Sequence, residues 1–213
     1  MKARVILADP PYHHRNKMPA RAGMHPSANY ETMTNQAIMD IPVDKWAADD
    51  CVLALWTPPT MVDACVDIGR AWGFTWCTKA PWLKQWASGR PKRGAGTWFM
   101  QTHEDFTLWT RGVPGVRKYG DVGVLALLLG EDRTLFAVPP KRHKAAKPYS
   151  VYDYLYRFPG PRLELFATEE REGWTSWGYD LGQRLNEHGV EPGTEPLDPQ
   201  MPLFKGVTDD GNK

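Results

Sequence analysis

Three cysteines in 213 residues, Cys51, Cys65 and Cys77, are an odd number without CxxC spacing. That argues against a disulfide framework and a zinc ribbon, and for buried, reduced thiols in a cytoplasmic protein. No apolar run reaches the 18 residues of a membrane span. The N-terminus enters a strand at once, which leaves no room for a signal peptide. Internal repeats and low-complexity blocks are absent. Charge of one sign is missing from three windows: residues 10–30, 68–103 and 133–152 contain no acid. The net charge of +1 hides this asymmetry, because residues 164–213 carry 11 acids against 4 Lys/Arg, and residues 1–163 carry 22 basic against 14 acidic residues. Length and composition fit one domain over 1–183, large enough to bury its own core, and a flexible acidic tail over 184–213.

What is present begins with Val5-Ile6-Leu7-Ala8, a short branched apolar run that reads as a buried parallel strand. Asp9-Pro10-Pro11-Tyr12 follows it. Two prolines cannot continue a ladder, so the chain leaves the sheet there. Asp9 then stands at the carboxyl end of a core strand, where open α/β sheets bind their ligands. An acid, a rigid turn and an aromatic at that place suit an exocyclic amine on a flat base. Such an amine is a poor nucleophile because its lone pair is delocalised into the ring. Acceptors on its hydrogens, the Asp9 carboxylate and the Pro10 carbonyl, favour the pyramidal, nucleophilic form. Tyr12 is placed to stack on the base, which predicts that Trp is tolerated at 12. The electrophile implied is a sulfonium methyl group, so S-adenosyl-L-methionine supplies reactivity and the protein supplies position. The chemistry needs no metal and no covalent intermediate.

Further along, Thr34 is expected to cap a short helix ending near Ile41. Cys51–Trp56 reads as a second buried strand, and Thr60 as the cap of a helix carrying Met61, Cys65, Ile68 and Trp72 that stops at Gly73. Residues 74–77 and 80–84 suggest a strand broken near Pro81. Residues 105–110 alternate like a strand, and another is expected at Leu135–Val138. Pro148 suits the first turn of a helix carrying Val151, Tyr152 and Leu155. Strands are expected at Leu163–Ala167 and, as a final edge segment, at Trp174–Trp177. Strands alternating with helices imply an α/β sheet with helices on both faces. Trp56, Trp72, Trp76 and Trp177 have core contexts; Trp82, Trp86 and Trp98 flank a basic loop and either stack on bases or simply pack. Lys84, Arg90, Lys92 and Arg93 in that loop are candidate phosphate contacts, as are Arg15, Lys17 and Arg21 in the first window.

In order along residues 3–180 come ADPPY (8–12), YETM (30–33), CVLALW (51–56), AWGF (71–74), Trp82 to Lys84, Gly96 and Trp98 with Glu104, a Lys-Pro-x-x-x-Tyr helix start at 147–152, PGPRLELFA (159–167) and REGWTSWG (171–178). Together they resemble the DPPW/DPPY-type N6-adenine methyltransferases, the family of the catalytic subunit of the eukaryotic mRNA N6-adenosine methyltransferase, in a spare phage or bacterial form. The resemblance implies a Rossmann-like seven-stranded methyltransferase sheet with helices on both faces. It implies that Asp9, Pro10, Pro11 and Tyr12 are the catalytic motif, and that Asp9, Lys147, Glu164, Phe166 and Ala167 serve the cofactor. Lys147 would meet the methionine carboxylate. Tyr30 and Glu104 would lie on the target-base side, although Glu104 also reads as an ordinary loop carboxylate. The chain departs from the family in lacking a Phe-x-Gly-x-Gly loop after Phe166. It also has Thr168 where a basic residue is common, and Tyr179-Asp180 after Gly178.

The expected activity is S-adenosylmethionine-dependent methylation of adenine N6 in DNA, in a bacterial cytoplasm. Cytosine-N4 methylation, an RNA substrate, or a catalytically silent nucleic-acid-binding subunit remain alternatives. Residues 200–204, Gln-Met-Pro-Leu-Phe, are similar to peptides that dock on the bacterial sliding clamp. Gln200, Leu203 and Phe204 would be its anchors, unless the apolar pair packs on its own domain.

Overall fold

The computed structural model describes residues 2–13, 32–84, 90–94, 98–114, 147 and 150–178. Strand β1 (Ala3–Ala8) is followed by helices α1 (Asn35–Met39) and α2 (Val43–Trp46), then by β2 (Ala47–Thr57). A 3-10 turn (Pro59–Met61) leads into α3 (Val62–Ala71), after which come β3 (Thr75–Leu83) and β4 (His103–Arg111). Helix α4 (Ser150–Leu155), β5 (Arg162–Leu165) and β6 (Thr175–Trp177) complete the order. The sheet has six strands among the described residues, in the order β3-β4-β2-β1-β5-β6. The expected Leu135–Val138 strand, Pro148 and the tail lie outside the described residues.

β1 pairs in parallel with β2 on one side and with β5 on the other, while β4 is antiparallel to β2 and to β3. The parallel centre explains the near-continuous apolar runs. Along β1, Val5 and Leu7 point into the core beneath α4, and Ile6 and Ala8 into the core beneath α1 and α3. β2 does the same, with Val52, Ala54 and Trp56 on the α4 face and Cys51, Leu53 and Leu55 on the other. Both faces are covered, as a parallel sheet requires. Among the described residues no helix is long and apolar enough to cross a membrane.

Thr34 caps α1 as expected, its hydroxyl accepting from the Ala37 amide at 3.1 Å. Thr60 does not cap α3. It sits inside the 3-10 turn that Pro59 initiates, and Met61 occupies the cap position without a side-chain bond. Nor does Pro81 break β3: the strand is continuous, and its register irregularity falls between Trp76 and Thr78. β3 is an edge strand, where a missing amide donor costs no ladder bond. Edge position also exposes Trp76 and Cys77, both of which the sequence suggested were buried. Cys51 and Cys65 are buried.

α3 lies close against the sheet because it has glycine at 69. A Cβ there would stand 2.7 Å from the Trp109 ring, whose indole N–H is itself tied to Thr107 at 3.0 Å. Gly69→Ala is expected to cost about 1–3 kcal/mol by overpacking, read as a lower melting temperature.

Candidate active site

β1, β2 and β5 run in parallel, so their carboxyl ends share one edge. The chain passes from β1 to β2 on one side and returns to β5 on the other, which makes the end of β1 the switch point of the sheet. Asp9 is the first residue beyond it.

The Pro10-Pro11 step turns the chain at once. The Tyr12 amide donates to the Pro10 carbonyl at 2.8 Å, a γ-turn, which leaves that oxygen one lone pair for a second donor. Tyr12 and Met33 then form a parallel bridge, with Met33 N–H donating to Pro11 and His13 N–H to Met33. The second motif of the sequence, YETM, therefore fixes the first. Its Tyr30 lies outside the described residues.

Tyr12 corrects an expectation. Its ring is 2% exposed, within the core beneath α1 and α3, and its hydroxyl donates to the Trp56 carbonyl at 3.0 Å. A ring so enclosed offers no face for a base to stack on; it braces the Asp9–Pro11 turn against β2. Tyr12→Trp, tolerable for a stacking residue, should instead cost about 1–3 kcal/mol through overpacking. A variant that melts like the wild type would restore the stacking role.

Asp9 is joined by Lys147, whose ammonium lies 3.1 Å from Asp9 Oδ1 and 2.7 Å from Glu104 Oε2. Lys84 pairs with the other oxygen of Glu104. The result is an acid–lysine–acid–lysine chain from the end of β1 to the end of β3. Beneath it the Lys147 ammonium stands 4.9 Å from the Trp56 ring centre, and Trp82 meets Trp56 edge-on. These are packing and cation–π contacts. Trp82 is thus part of the wall.

The electrostatics of the three carboxyls differ. Burial raises the Glu104 carboxyl, but Lys147 and Lys84 outweigh it and hold the group at about 2. The Asp9 side chain keeps 38% exposure, yet the surrounding protein mass weakens its hydration and raises its pKa despite Lys147, with Glu104 adding to the rise. Burial likewise raises Glu164, which accepts from the Tyr152 hydroxyl at 2.7 Å. Its second oxygen is buried with no hydrogen-bond partner among the described residues.

Glu164 is aligned with Leu7 across the β1–β5 ladder, on the α4 face. Tyr152 reaches it from α4, and Arg171 lies 3.7 Å from the Tyr152 ring centre. Beyond β5, Phe166 adopts φ 63°, a left-handed bend in place of a glycine loop. Ala167 is buried and its amide donates to Trp177. Gly178 follows closely: a Cβ there would stand 2.2 Å from the Ala167 carbonyl oxygen. Thr168 is exposed.

The predicted site residues therefore divide. Asp9, Pro10, Lys147, Glu104 and Glu164 gather at the strand ends. Lys84, expected on phosphate, is bound to Glu104 instead, because register sets Trp82 opposite Glu104 and brings Lys84 back over it. Arg90, Arg93 and Trp98 are exposed in the segment between β3 and β4, and Lys92 is half-buried there. Trp56, Tyr152 and Arg171 were missed as site residues. The first looked like core, and the other two lay within quoted motifs without a reason to single them out.

Comparison with known proteins places the chain as a whole. The chain is 27% identical over 199 residues to the type II methyltransferase M.MunI of Mycoplasma sp, covering 84% of this chain and 78% of that one. It is 25% identical over 182 residues to the human N(6)-adenine-specific methyltransferase METTL4, but spans only 37% of that protein's length. The mouse METTL4 matches at 25% over 183 residues, again across 37% of its length. The MT-A70 family model matches residues 3–180, from β1 through β6 and the glycine behind it. The chain belongs to the MT-A70 family of N6-adenine methyltransferases, with the Rossmann-like fold of that family.

Proposed function

We propose that this methyltransferase moves the methyl group of S-adenosyl-L-methionine to the N6 amine of adenine in DNA. The observation that carries the reading is the Asp9 carboxylate at the sheet's switch point, partly open and flanked by a carbonyl with a lone pair to spare. Ionised Asp9 accepts a hydrogen bond from one amine hydrogen and the Pro10 carbonyl from the other, so the nitrogen lone pair is turned out of conjugation with the ring; one of the two protons leaves the nitrogen once it has gained the methyl group. Glu104, held ionised by two lysines, fixes Lys147 against Asp9 and so fixes the direction of the carboxylate.

The residues present fit the cofactor. Glu164 has a buried oxygen with no donor among the described residues, and an amine or ribose hydroxyl would satisfy it. Lys147 has three donors, two of them spent on Asp9 and Glu104, and the third suits a carboxylate. Asp9, Lys147, Glu164, Phe166 and Ala167 would hold the cofactor, which supplies an activated methyl group.

The reading of DNA over RNA is our inference from a relative named a type II methyltransferase, of which this chain covers 78%. Cytosine N4 offers the same amine chemistry, but two relatives are named N(6)-adenine-specific. Two measurements test the reading: calorimetric titration with S-adenosyl-L-methionine, then transfer of labelled methyl to duplex DNA, single-stranded DNA and RNA in parallel. Binding with transfer to duplex DNA is expected. No binding would leave the silent subunit, and transfer to RNA alone would reassign the substrate. The Gln200–Phe204 segment is carried within this proposal as a sliding-clamp peptide on its sequence alone; a tail peptide that fails to bind purified clamp at high micromolar concentration removes it.

A further inference from the structure

The segment between β3 and β4 is paired like a hairpin. Lys84 N–H donates to Thr102 at 2.8 Å, Lys92 N–H to Lys84 at 2.7 Å, and Gly94 and Gln101 exchange bonds of 2.6 and 3.2 Å. Beyond that last pair stand Trp98, Phe99 and Met100, exposed by 88%, 78% and 57%. Three consecutive large apolar side chains in water are unfavourable and need a use. Their surroundings indicate which. Arg90, Lys92 and Arg93 lie on the same hairpin, and no acid occurs between residues 68 and 103. A partner that meets both features is anionic outside and flat and apolar within, which describes a base stack between phosphate strands.

Position adds to this. Met100 precedes Glu104 by four residues, so it lies at most about 14 Å along the chain from the group that holds Lys147 against Asp9. The hairpin is anchored at its root by the Lys84–Glu104 pair. An adenine in a duplex cannot reach Asp9 without leaving the stack, and something must fill its place or the helix re-closes.

We propose that Trp98, Phe99 and Met100 form a wedge that enters the DNA stack beside the target adenine, with Arg90 and Arg93 on the flanking phosphates, and holds the duplex open while the base occupies the site. This rests on the adenine-methylation reading and adds to it a duplex-opening device. Aromatic stacking is worth about tenfold or more in binding per base, which sets the expected effect.

The test uses the whole chain with Trp98→Ala and Phe99→Ala combined, and two duplexes that differ only in the partner of the target adenine. On the fully paired duplex the methylation rate should fall about tenfold or more. On the duplex with an abasic site opposite the adenine, most of that loss should be recovered, because the base no longer needs extruding. A fluorescent 2-aminopurine at the target should brighten on binding the wild type and not the variant. Equal loss on both duplexes would overturn the wedge and leave a plain binding contact, and no loss on either would assign the patch to something other than DNA, such as a protein partner. An unchanged melting temperature excludes misfolding, as expected for exposed side chains. A wild type that methylates neither duplex fails a different claim, the adenine reading itself.

Discussion

Asp9→Asn should lower the methylation rate by about 100- to 1,000-fold, while the protein melts no lower than the wild type. The first part follows from chemistry: an amide presents a weaker acceptor to the amine and a competing N–H donor, and removing one preorganised partner of a reacting group has about this effect. The second part follows from linkage. The folded pKa of Asp9 is raised above its ordinary 3.8, chiefly by burial. The folded state thus binds the Asp9 proton more tightly than the unfolded chain does. Ionised Asp9 then subtracts stability at neutral pH, and the penalty is relieved as pH falls through the folded value. A neutral isostere removes the penalty, and Lys147 retains Glu104 as a partner. Catalysis and stability are in conflict at this residue, a frequent arrangement at active sites. The wild-type rate should also fall with acid earlier than an ordinary carboxylate would dictate, since the protonated acid is a much weaker acceptor for the amine hydrogen.

Lys147→Met should act on both quantities at once. Lys147 is 14% exposed and Glu104 17%, so its loss leaves Glu104 and Asp9 facing each other with a single lysine, Lys84, on the far side. Breaking a buried pair in this way costs about 3 kcal/mol. For a domain of this size that is a fall of about 6–12 °C in melting temperature. The deficit has a signed pH dependence. Glu104 sits at about 2 when folded against an ordinary 4.5, so its contribution is present above 4.5 and is lost as pH falls toward 2. In the variant both carboxyls bind protons more readily, and acid removes the uncompensated charge. The gap between variant and wild type should therefore narrow as pH falls. Glu104→Gln placed on top should recover part of the stability without recovering activity, because the two residues are coupled. Full additivity would mean that the pair does not act as a unit.

The central sheet was legible because burial on both faces writes itself into sequence as uninterrupted branched residues. Val5–Ala8 and Cys51–Trp56 left no other reading, and the Pro-Pro step marked where the chain must leave the sheet. The position of Asp9 at the end of β1 was legible in the same way. Tyr12 was misread for a reason that lies beyond its neighbours in sequence: which side of the turn its ring takes depends on the bridge to Met33 and on the Trp56 carbonyl, contacts 21 and 44 residues away. Lys84 was misread in the same way. A lysine in an acid-free window looks free for phosphate until the β3–β4 register brings Glu104 back to it. Trp76 looked like core because alternation does not reveal that a strand is at the edge. Tertiary pairing, and not local propensity, decided each of these.

The central claim is that Asp9 holds an adenine amine for methylation. It is tested most directly by digesting duplex DNA, after incubation with the wild type or with Asp9→Asn and S-adenosyl-L-methionine, and identifying the methylated nucleoside by mass spectrometry. N6-methyladenine from the wild type and almost none from the variant is the predicted result. Methylated cytosine, or N6-methyladenine formed equally well without the Asp9 carboxylate, would contradict it.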